Sequence, residues 1–202
     1  MWQVYIKFIR TCCLVALLLP ALAIAAAAPP QKNFFVEGQD YVKLPDSVRA
    51  NTTAHQVLMT DPHKVQVLFF FSYGCHGCEM FHKPFEEWLA KQKTGPKGKV
   101  VVYTYPVSFN AQWSMLARLY YVRQILDPLG KTDNAIFLAL QKQGMKLWDV
   151  NTMKSFFILH GYTAEQFDQA YNSFNVNRQV QRADAISKAF NIVLTPEVIV
   201  NG

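Results

Sequence analysis

Two short apolar runs in the first half of the chain predict β-strands. The run KVQVLFFFS (64–72) is rich in β-branched and aromatic residues, which is typical of a strand buried in the centre of a sheet. The run VVVYTYPVSF (100–109) predicts the next strand, and TGPKGK (94–99) predicts the turn before it. The segment FFVEGQDYVKL (34–44) alternates enough to be a first strand or an extended arm.

Helical spacing replaces the strand pattern directly after residue 72. Apolar and aromatic residues recur every three or four positions and predict one buried helix face, formed by Cys78, Phe81, His82, Phe85 and Leu89. Pro84 lies inside this helix and is expected to kink it, because proline removes a backbone hydrogen bond.

The pattern from residue 112 to residue 191 predicts a block of helices. The first carries Trp113, Leu116, Tyr120 and Ile125, the second starts near Asp133, and the third runs from near Asn151 to His160 and Gly161. Thr163 and Gln166 have the capping-box spacing that opens a fourth helix. The last carries Val180, Ala183, Ile186 and Phe190.

The segment TPEVIVNG (195–202) returns to strand character, and Asn201-Gly202 predicts a hairpin turn. The order of elements predicts an α/β fold with a helical insertion. Because an Asn-Gly turn calls for a partner strand, we expect the sequence to be a fragment of a longer chain.

The N-terminal residues have the layout of a secretory signal peptide. Lys7 and Arg10 precede an apolar run from Cys12 through Ala28, with Ala-x-Ala triplets near its end and Pro29 following. An uncleaved membrane anchor is the alternative, since the run is nearly long enough to span a bilayer. Pro20 and the alanine-rich end favour cleavage, so residues 1–28 are predicted to be a signal peptide.

Removing the signal peptide leaves Cys75 and Cys78 as the only cysteines. Exported proteins usually carry several dispersed cysteines as structural crosslinks, and this chain has one close pair. Eighteen Lys and Arg against fourteen Asp and Glu then give a net charge of +4. These charges are scattered, which argues against a surface for nucleic acid or lipid.

A Cys-x-x-Cys pair could bind a metal, attach haem, crosslink the chain or carry redox chemistry. A structural zinc site needs four ligands, and the histidines lie far apart in sequence. Haem attachment needs a histidine directly after the second cysteine, where this chain has Glu79. A crosslink closing so small a loop would restrict the unfolded chain little. A redox dithiol fits the pattern better.

The position of Cys75 favours a thiolate. It lies between the end of a strand and the start of a helix, where unpaired N–H groups and the helix dipole stabilise negative charge. His76 can add a positive charge, and no Asp or Glu occurs from Pro62 to Cys78. We therefore expect Cys75 to be the reactive sulfur and Cys78 to resolve the mixed disulfide. Stabilising the thiolate stabilises the reduced form and makes the disulfide a stronger oxidant.

Several stretches together resemble the DsbA-type thiol:disulfide oxidoreductases of the bacterial periplasm, which have a thioredoxin fold. They are FFFSYGCHGCEMF (69–81) with Pro84, the helical block, YTAEQFDQAYNSF (162–174) and LTPEVIVNG (194–202). The resemblance covers about residues 34 to 202. It divides the chain into a thioredoxin-like part at 29–111, a helical insertion at 112–191 and a second, truncated thioredoxin-like part at 192–202.

The resemblance implies roles for individual residues. Cys75 and Cys78 would be the redox-active disulfide, tuned by His76 and Gly77 and needing no bound cofactor. Pro196 would be a cis-proline facing the pair, Thr195 would offer backbone hydrogen bonds to a substrate strand, and Tyr73 would border a groove for unfolded peptide. The partners would be exported, unfolded proteins with cysteines and a DsbB-type membrane protein that reoxidises the pair.

The sequence departs from the family pattern at three places. The dipeptide between the cysteines is His-Gly where the family type is Pro-His. Phe69 stands where the family keeps a buried acid, so proton transfer would use water or another group. The final strand and helix of the fold are missing after Gly202.

Other functions remain open at this point. A disulfide isomerase or reductase of the same fold would carry the same Thr-Pro pair. A chaperone-like binding module would keep the fold without using the thiols, and a metal carrier would bind zinc tightly.

Overall fold

A three-stranded mixed sheet forms the centre of the fold. The computed structural model describes residues 35–58, 63–92 and 98–201. In that part of the chain the strands are β1 (Val65–Phe71), β2 (Val100–Pro106) and β3 (Glu197–Val200), in the order β2-β1-β3. The two strands predicted at 64–72 and 100–109 are confirmed, although β2 ends three residues early.

Strand β1 pairs on both sides. It runs parallel to β2, with Val65 opposite Val100 and Phe71 opposite Pro106, and antiparallel to β3, with Val67 opposite Val200. Because helices cover both faces of β1, its residues are buried on each side, and this explains the continuous apolar run in the sequence. Phe69 packs against Phe85 of the following helix at 4.7 Å between ring centroids, and Phe70 packs against Phe190 at 5.8 Å on the opposite face.

Helix α3 (His76–Lys91) connects β1 to β2, as a parallel pair requires. It buries the predicted apolar face, with Cys78 and Phe85 buried. Pro84 lies inside the helix, which continues to Lys91.

Five further helices follow β2, as the sequence pattern predicts. They are α4 (Ala111–Leu126), α5 (Asp133–Gln141), α6 (Val150–Leu159), α7 (Ala164–Tyr171) and α8 (Phe174–Ala189). The capping box at Thr163 is present, with the Thr163 side chain accepting from the Gln166 N–H and the Gln166 side chain accepting from the Thr163 N–H. We refer to α4–α8 as the helical insertion.

Of the two alternatives predicted for 34–44, a first strand or an extended arm, the strand is not formed by residues 35–44. Residues 35–41 form a tight turn closed by an isolated bridge between Glu37 and Tyr41, with Gly38 at φ +83°. The Val36 N–H donates to the Asp40 carboxylate at 2.7 Å, so local partners satisfy the backbone there. Two short helices that the sequence pattern did not predict precede β1, and they are α1 (Asp46–Arg49) and α2 (Thr52–Leu58).

Three predictions lie partly or wholly outside the described residues. They are the signal peptide at 1–28, most of the turn at 94–99, and the hairpin turn at Asn201-Gly202, of which Gly202 is not described. Within the described part of the chain, every helix is too short or too polar to cross a bilayer.

Candidate active site

The active site is built where β1 ends and α3 begins. The two elements are joined by four residues that we call the active-site turn, which are Ser72, Tyr73, Gly74 and Cys75. The Cys75 N–H donates to the Ser72 carbonyl at 3.0 Å, and the Gly74 N–H donates to Ser72 Oγ at 3.2 Å. Cys75 and Cys78 are free thiols in this structure.

Cys75 is the N-cap residue of α3. Its Sγ accepts a hydrogen bond from the Cys78 N–H at 3.3 Å, which satisfies one of the unpaired donors of the first turn. Its sulfur also lies 3.4 Å from the Thr195 carbonyl oxygen, to which the thiol form can donate. The side chain is partly exposed. The sulfur is therefore accessible and lies at the end of a helix that favours negative charge.

Cys78 has the opposite environment. It is fully buried, and burial together with a hydrogen bond to Cys75 raises the pKa of its thiol to about 12. Hydrogen bonds from the Ser72 backbone and the Thr195 side chain lower the pKa again, by less. Cys78 thus stays protonated at neutral pH while its N–H and thiol both point to Cys75.

The loop before β3 packs against the cysteines. The Thr195–Pro196 peptide bond is cis, as the resemblance implies. A Cβ atom at Gly77 would lie 3.2 Å from Pro196 Cδ and 3.8 Å from Cys75 Sγ. Gly77 therefore lets the proline loop approach the dithiol closely.

A carboxylate, that of Glu79, lies beside His76 and opposes the positive charge expected there. His76 is 63% exposed, and its Nδ1 lies 3.0 Å from a carboxylate oxygen of Glu79. The same carboxylate lies 3.1 Å from Lys142 Nζ, which belongs to the helical insertion. The stretch without acids ends at Cys78, and Glu79 follows it directly. Its spacing of three residues from His76 on a helix is the signal that would have predicted this pair.

Tyr73 does not border a peptide groove. Its side chain is 1% exposed, its ring packs against Phe71 and Phe137, and its hydroxyl donates to Asp133. Burial raises the pKa of Tyr73 well above its ordinary value. The prediction that Tyr73 contacts substrate is therefore wrong, because the helical insertion covers the side chain.

Phe69 occupies an apolar environment on the strand before the pair. It is 4% exposed and lies among the rings of Phe71, Phe81 and Phe85. The position that the family fills with an acid is thus part of an aromatic cluster in this protein.

The described residues contain no group of three or more His, Cys, Asp or Glu side chains placed to hold a metal ion. What the site does hold is two sulfurs of unequal exposure at a helix N-terminus, where the Cys78 backbone N–H donates to Cys75 Sγ. Such a pair can exchange disulfides through the accessible sulfur and resolve the mixed disulfide through the buried one.

Comparison with known proteins agrees with the fold. The family described as Thioredoxin matches residues 60–202. The thiol:disulfide interchange protein DsbA of Bordetella parapertussis is 32% identical over 186 residues, which cover 92% of this chain and 82% of that protein. The protein of the same name from Azotobacter vinelandii is 30% identical over 165 residues, covering 82% and 71% respectively.

Solved structures show the same similarity. The crystal structure of Pseudomonas aeruginosa DsbA matches with a TM-score of 0.62 and 28% identity, covering 70% of this chain and 72% of that chain. The oxidoreductase DsbA from Xylella fastidiosa matches with a TM-score of 0.62 and 26% identity, covering 70% and 75%. The chain belongs to the thioredoxin family and, within it, to the DsbA-type thiol:disulfide oxidoreductases.

Proposed function

We propose that this protein oxidises pairs of cysteines in exported, unfolded proteins. The reaction transfers the Cys75–Cys78 disulfide to a substrate dithiol, so the substrate loses two electrons and two protons and the protein gains them. The observation that carries the proposal is the contrast between an accessible Cys75 at the helix N-cap and a buried, protonated Cys78.

The contrast assigns each sulfur its step. A substrate thiolate attacks Cys75 Sγ, a substrate–Cys75 disulfide forms, and the Cys75–Cys78 bond breaks. Cys78 leaves with the electron pair and takes up a proton, which its high pKa favours. The second cysteine thiolate of the substrate then attacks the substrate sulfur that is bonded to Cys75. Cys75 departs as a thiolate that the Cys78 N–H and the helix dipole stabilise.

Thr195 and Pro196 are the proposed substrate-binding residues. Their loop lies against Cys75, and its backbone can pair with an extended peptide in the manner of strand addition. An unfolded chain offers such a backbone regardless of its sequence, which suits an enzyme with many substrates.

The cellular setting follows from the signal-peptide pattern at residues 1–28. We propose that the protein acts in the periplasm and that a DsbB-type membrane protein reoxidises its dithiol. The enzyme needs such an electron acceptor, because the oxidation of each substrate converts the Cys75–Cys78 disulfide to the dithiol.

The experiment that tests the proposal is a redox titration against glutathione with a substrate assay beside it. We expect the parent to oxidise a reduced, unfolded substrate stoichiometrically and to be reduced by glutathione far more readily than thioredoxin. Cys75→Ala should abolish the oxidation. Undiminished substrate oxidation by Cys75→Ala would mean that the thiol is not the working group.

The rival within redox chemistry is an isomerase or reductase, which works from the reduced state. A reduction potential close to that of thioredoxin, about −270 mV, would favour this rival over the oxidase.

A further inference from the structure

Helix α5 of the helical insertion holds Tyr73 at three successive points. The Tyr73 hydroxyl donates to Asp133 Oδ1 at the start of the helix. The Phe137 ring packs edge-on against the Tyr73 ring at 5.0 Å between centroids. Gln141 Nε2 donates to the Tyr73 carbonyl oxygen at 2.8 Å at the end of the helix. Because these residues are four apart, they lie on one face of α5, and that face contacts both the side chain and the backbone of Tyr73.

The contact is buried and electrostatically reinforced. Asp133 also pairs with Arg123, whose Nε lies 3.2 Å from the same carboxylate oxygen. Arg123 is 7% exposed, and its guanidinium also donates to the Asp127 carbonyl at 3.3 Å. Asp133 is partly exposed, but it pairs with a buried guanidinium and a buried phenol, and its loss would leave the buried Arg123 charge without this partner.

Tyr73 in turn fixes the groups that contact the sulfurs. It is the second residue of the active-site turn, between Ser72 and Gly74. The Ser72 carbonyl accepts from the Cys75 N–H at 3.0 Å, and Cys75 Sγ accepts from the Cys78 N–H at 3.3 Å. A shift of Tyr73 therefore displaces its neighbour Ser72 and changes the position of Cys75 Sγ at the N-terminus of α3.

We propose that Asp133 and Gln141 are positioning residues for the dithiol, acting through Tyr73. The helical insertion then does more than cover the site, because it sets the geometry on which the redox equilibrium of Cys75 and Cys78 depends. This inference rests on the proposed function and adds residues about 60 positions away from the cysteines to the machinery of that reaction.

Two conservative variants test the proposal. Tyr73→Phe removes the hydroxyl and keeps the ring, and Gln141→Met removes the amide donor and keeps the length of the side chain. Both leave Arg123 and Asp133 charged and paired. The Cys78 N–H hydrogen bond to Cys75 Sγ stabilises a thiolate, which exists only in the dithiol form. A turn that holds Cys75 less firmly at the N-cap should therefore destabilise that form and make the enzyme a weaker oxidant.

The control is Tyr121→Phe. Tyr121 is a buried tyrosine of α4 that is 7% exposed and packs against Tyr120, so the variant also removes one hydroxyl from the insertion core. It leaves the three contacts between α5 and Tyr73 in place.

The measurement is the equilibrium constant of each folded protein with glutathione, with the thermal unfolding midpoint recorded beside it. We expect Tyr73→Phe and Gln141→Met each to shift the equilibrium about three- to tenfold toward the disulfide form, and the control to stay within about twofold, as the loss of one hydrogen bond implies.

Two results would overturn the proposal. One is an equilibrium constant for both variants equal to that of the control, even with a lower unfolding midpoint, since the contacts would then be merely structural. The other is a shift toward the dithiol form. Failure of the proposed function would appear separately, as a parent protein that does not oxidise the unfolded substrate.

Discussion

Cys75 and Cys78 are three positions apart, and folding gives their sulfurs different chemistry. Cys75 Sγ is partly exposed and accepts a backbone hydrogen bond at a helix N-terminus. Cys78 is fully buried, with a pKa of about 12. The difference arises because Cys75 is the N-cap of α3, whereas Cys78 lies in the first turn of the helix and is buried.

This difference predicts selective alkylation of the dithiol protein. At pH 8 about one part in ten thousand of Cys78 is thiolate when its pKa is about 12, so iodoacetamide should modify Cys75 and spare Cys78. Modification of Cys78 should increase about tenfold per pH unit in alkaline solution, since only the thiolate reacts. Peptide mass spectrometry after timed labelling measures both sites.

The control for this prediction is the same labelling in guanidinium chloride. Unfolding should remove the burial and let both cysteines react at comparable rates. Equal labelling of the two sites in the folded protein at pH 8 would contradict the assigned roles.

At the scale of the element, the N-cap of α3 is also the reactive residue. Cys75 Sγ accepts from the Cys78 N–H, as a serine or aspartate oxygen would at a structural cap. Chemistry and helix initiation therefore share one side chain, and a substitution made to abolish activity also changes the stability of the helix.

Comparing Cys75→Ser with Cys75→Ala separates the two effects. Both variants should be inactive, but serine can still cap α3 and alanine cannot. We expect Cys75→Ser to be more stable than Cys75→Ala by about 1 kcal/mol in urea-induced unfolding. Equal stabilities would show that the cap contributes nothing to the fold.

At the scale of the whole molecule, contacts from distant segments converge on the reduced site. The Thr195 carbonyl and side chain contact the two sulfurs, and α5 holds the active-site turn through Tyr73. The hydrogen bond from the Cys75 thiol to the Thr195 carbonyl can exist only in the dithiol form, whereas the disulfide closes too small a loop to restrict the unfolded chain much.

We therefore expect that reduction of the Cys75–Cys78 disulfide stabilises this protein against unfolding. The dithiol form should unfold at a higher urea concentration than the disulfide form, the reverse of the usual effect of a crosslink. The reduction potential of the pair can be compared between the folded and the unfolded chain. Each 30 mV by which the folded pair is more oxidising adds about 1.4 kcal/mol to the unfolding free energy of the dithiol form relative to the disulfide form. Paired urea titrations, with and without a reductant, measure the difference.

A disulfide form that is as stable as the dithiol form would count against an oxidase. It would instead favour the isomerase or reductase that the sequence left open.

Much of the fold could be predicted from local spacing. The run 64–72, the apolar face of α3 and the capping box at Thr163 are short-range patterns, and the structure has the elements that they predict. The two short helices before β1 were missed, since four and seven residues offer too little periodicity for a prediction. The strand alternative for residues 34–44 was not formed, because alternation alone does not supply a partner strand.

The sequence by itself determined the reactive pair and its place at a helix start, because the cysteines, the strand before them and the helix after them are neighbours along the chain. Only the tertiary structure decided the surroundings of the pair. Tyr73 meets Asp133 across 60 positions, and Lys142 meets Glu79 across 63. Contacts over such separations depend on how the helical insertion packs against the sheet, and no local pattern of hydrophobic residues encodes that packing.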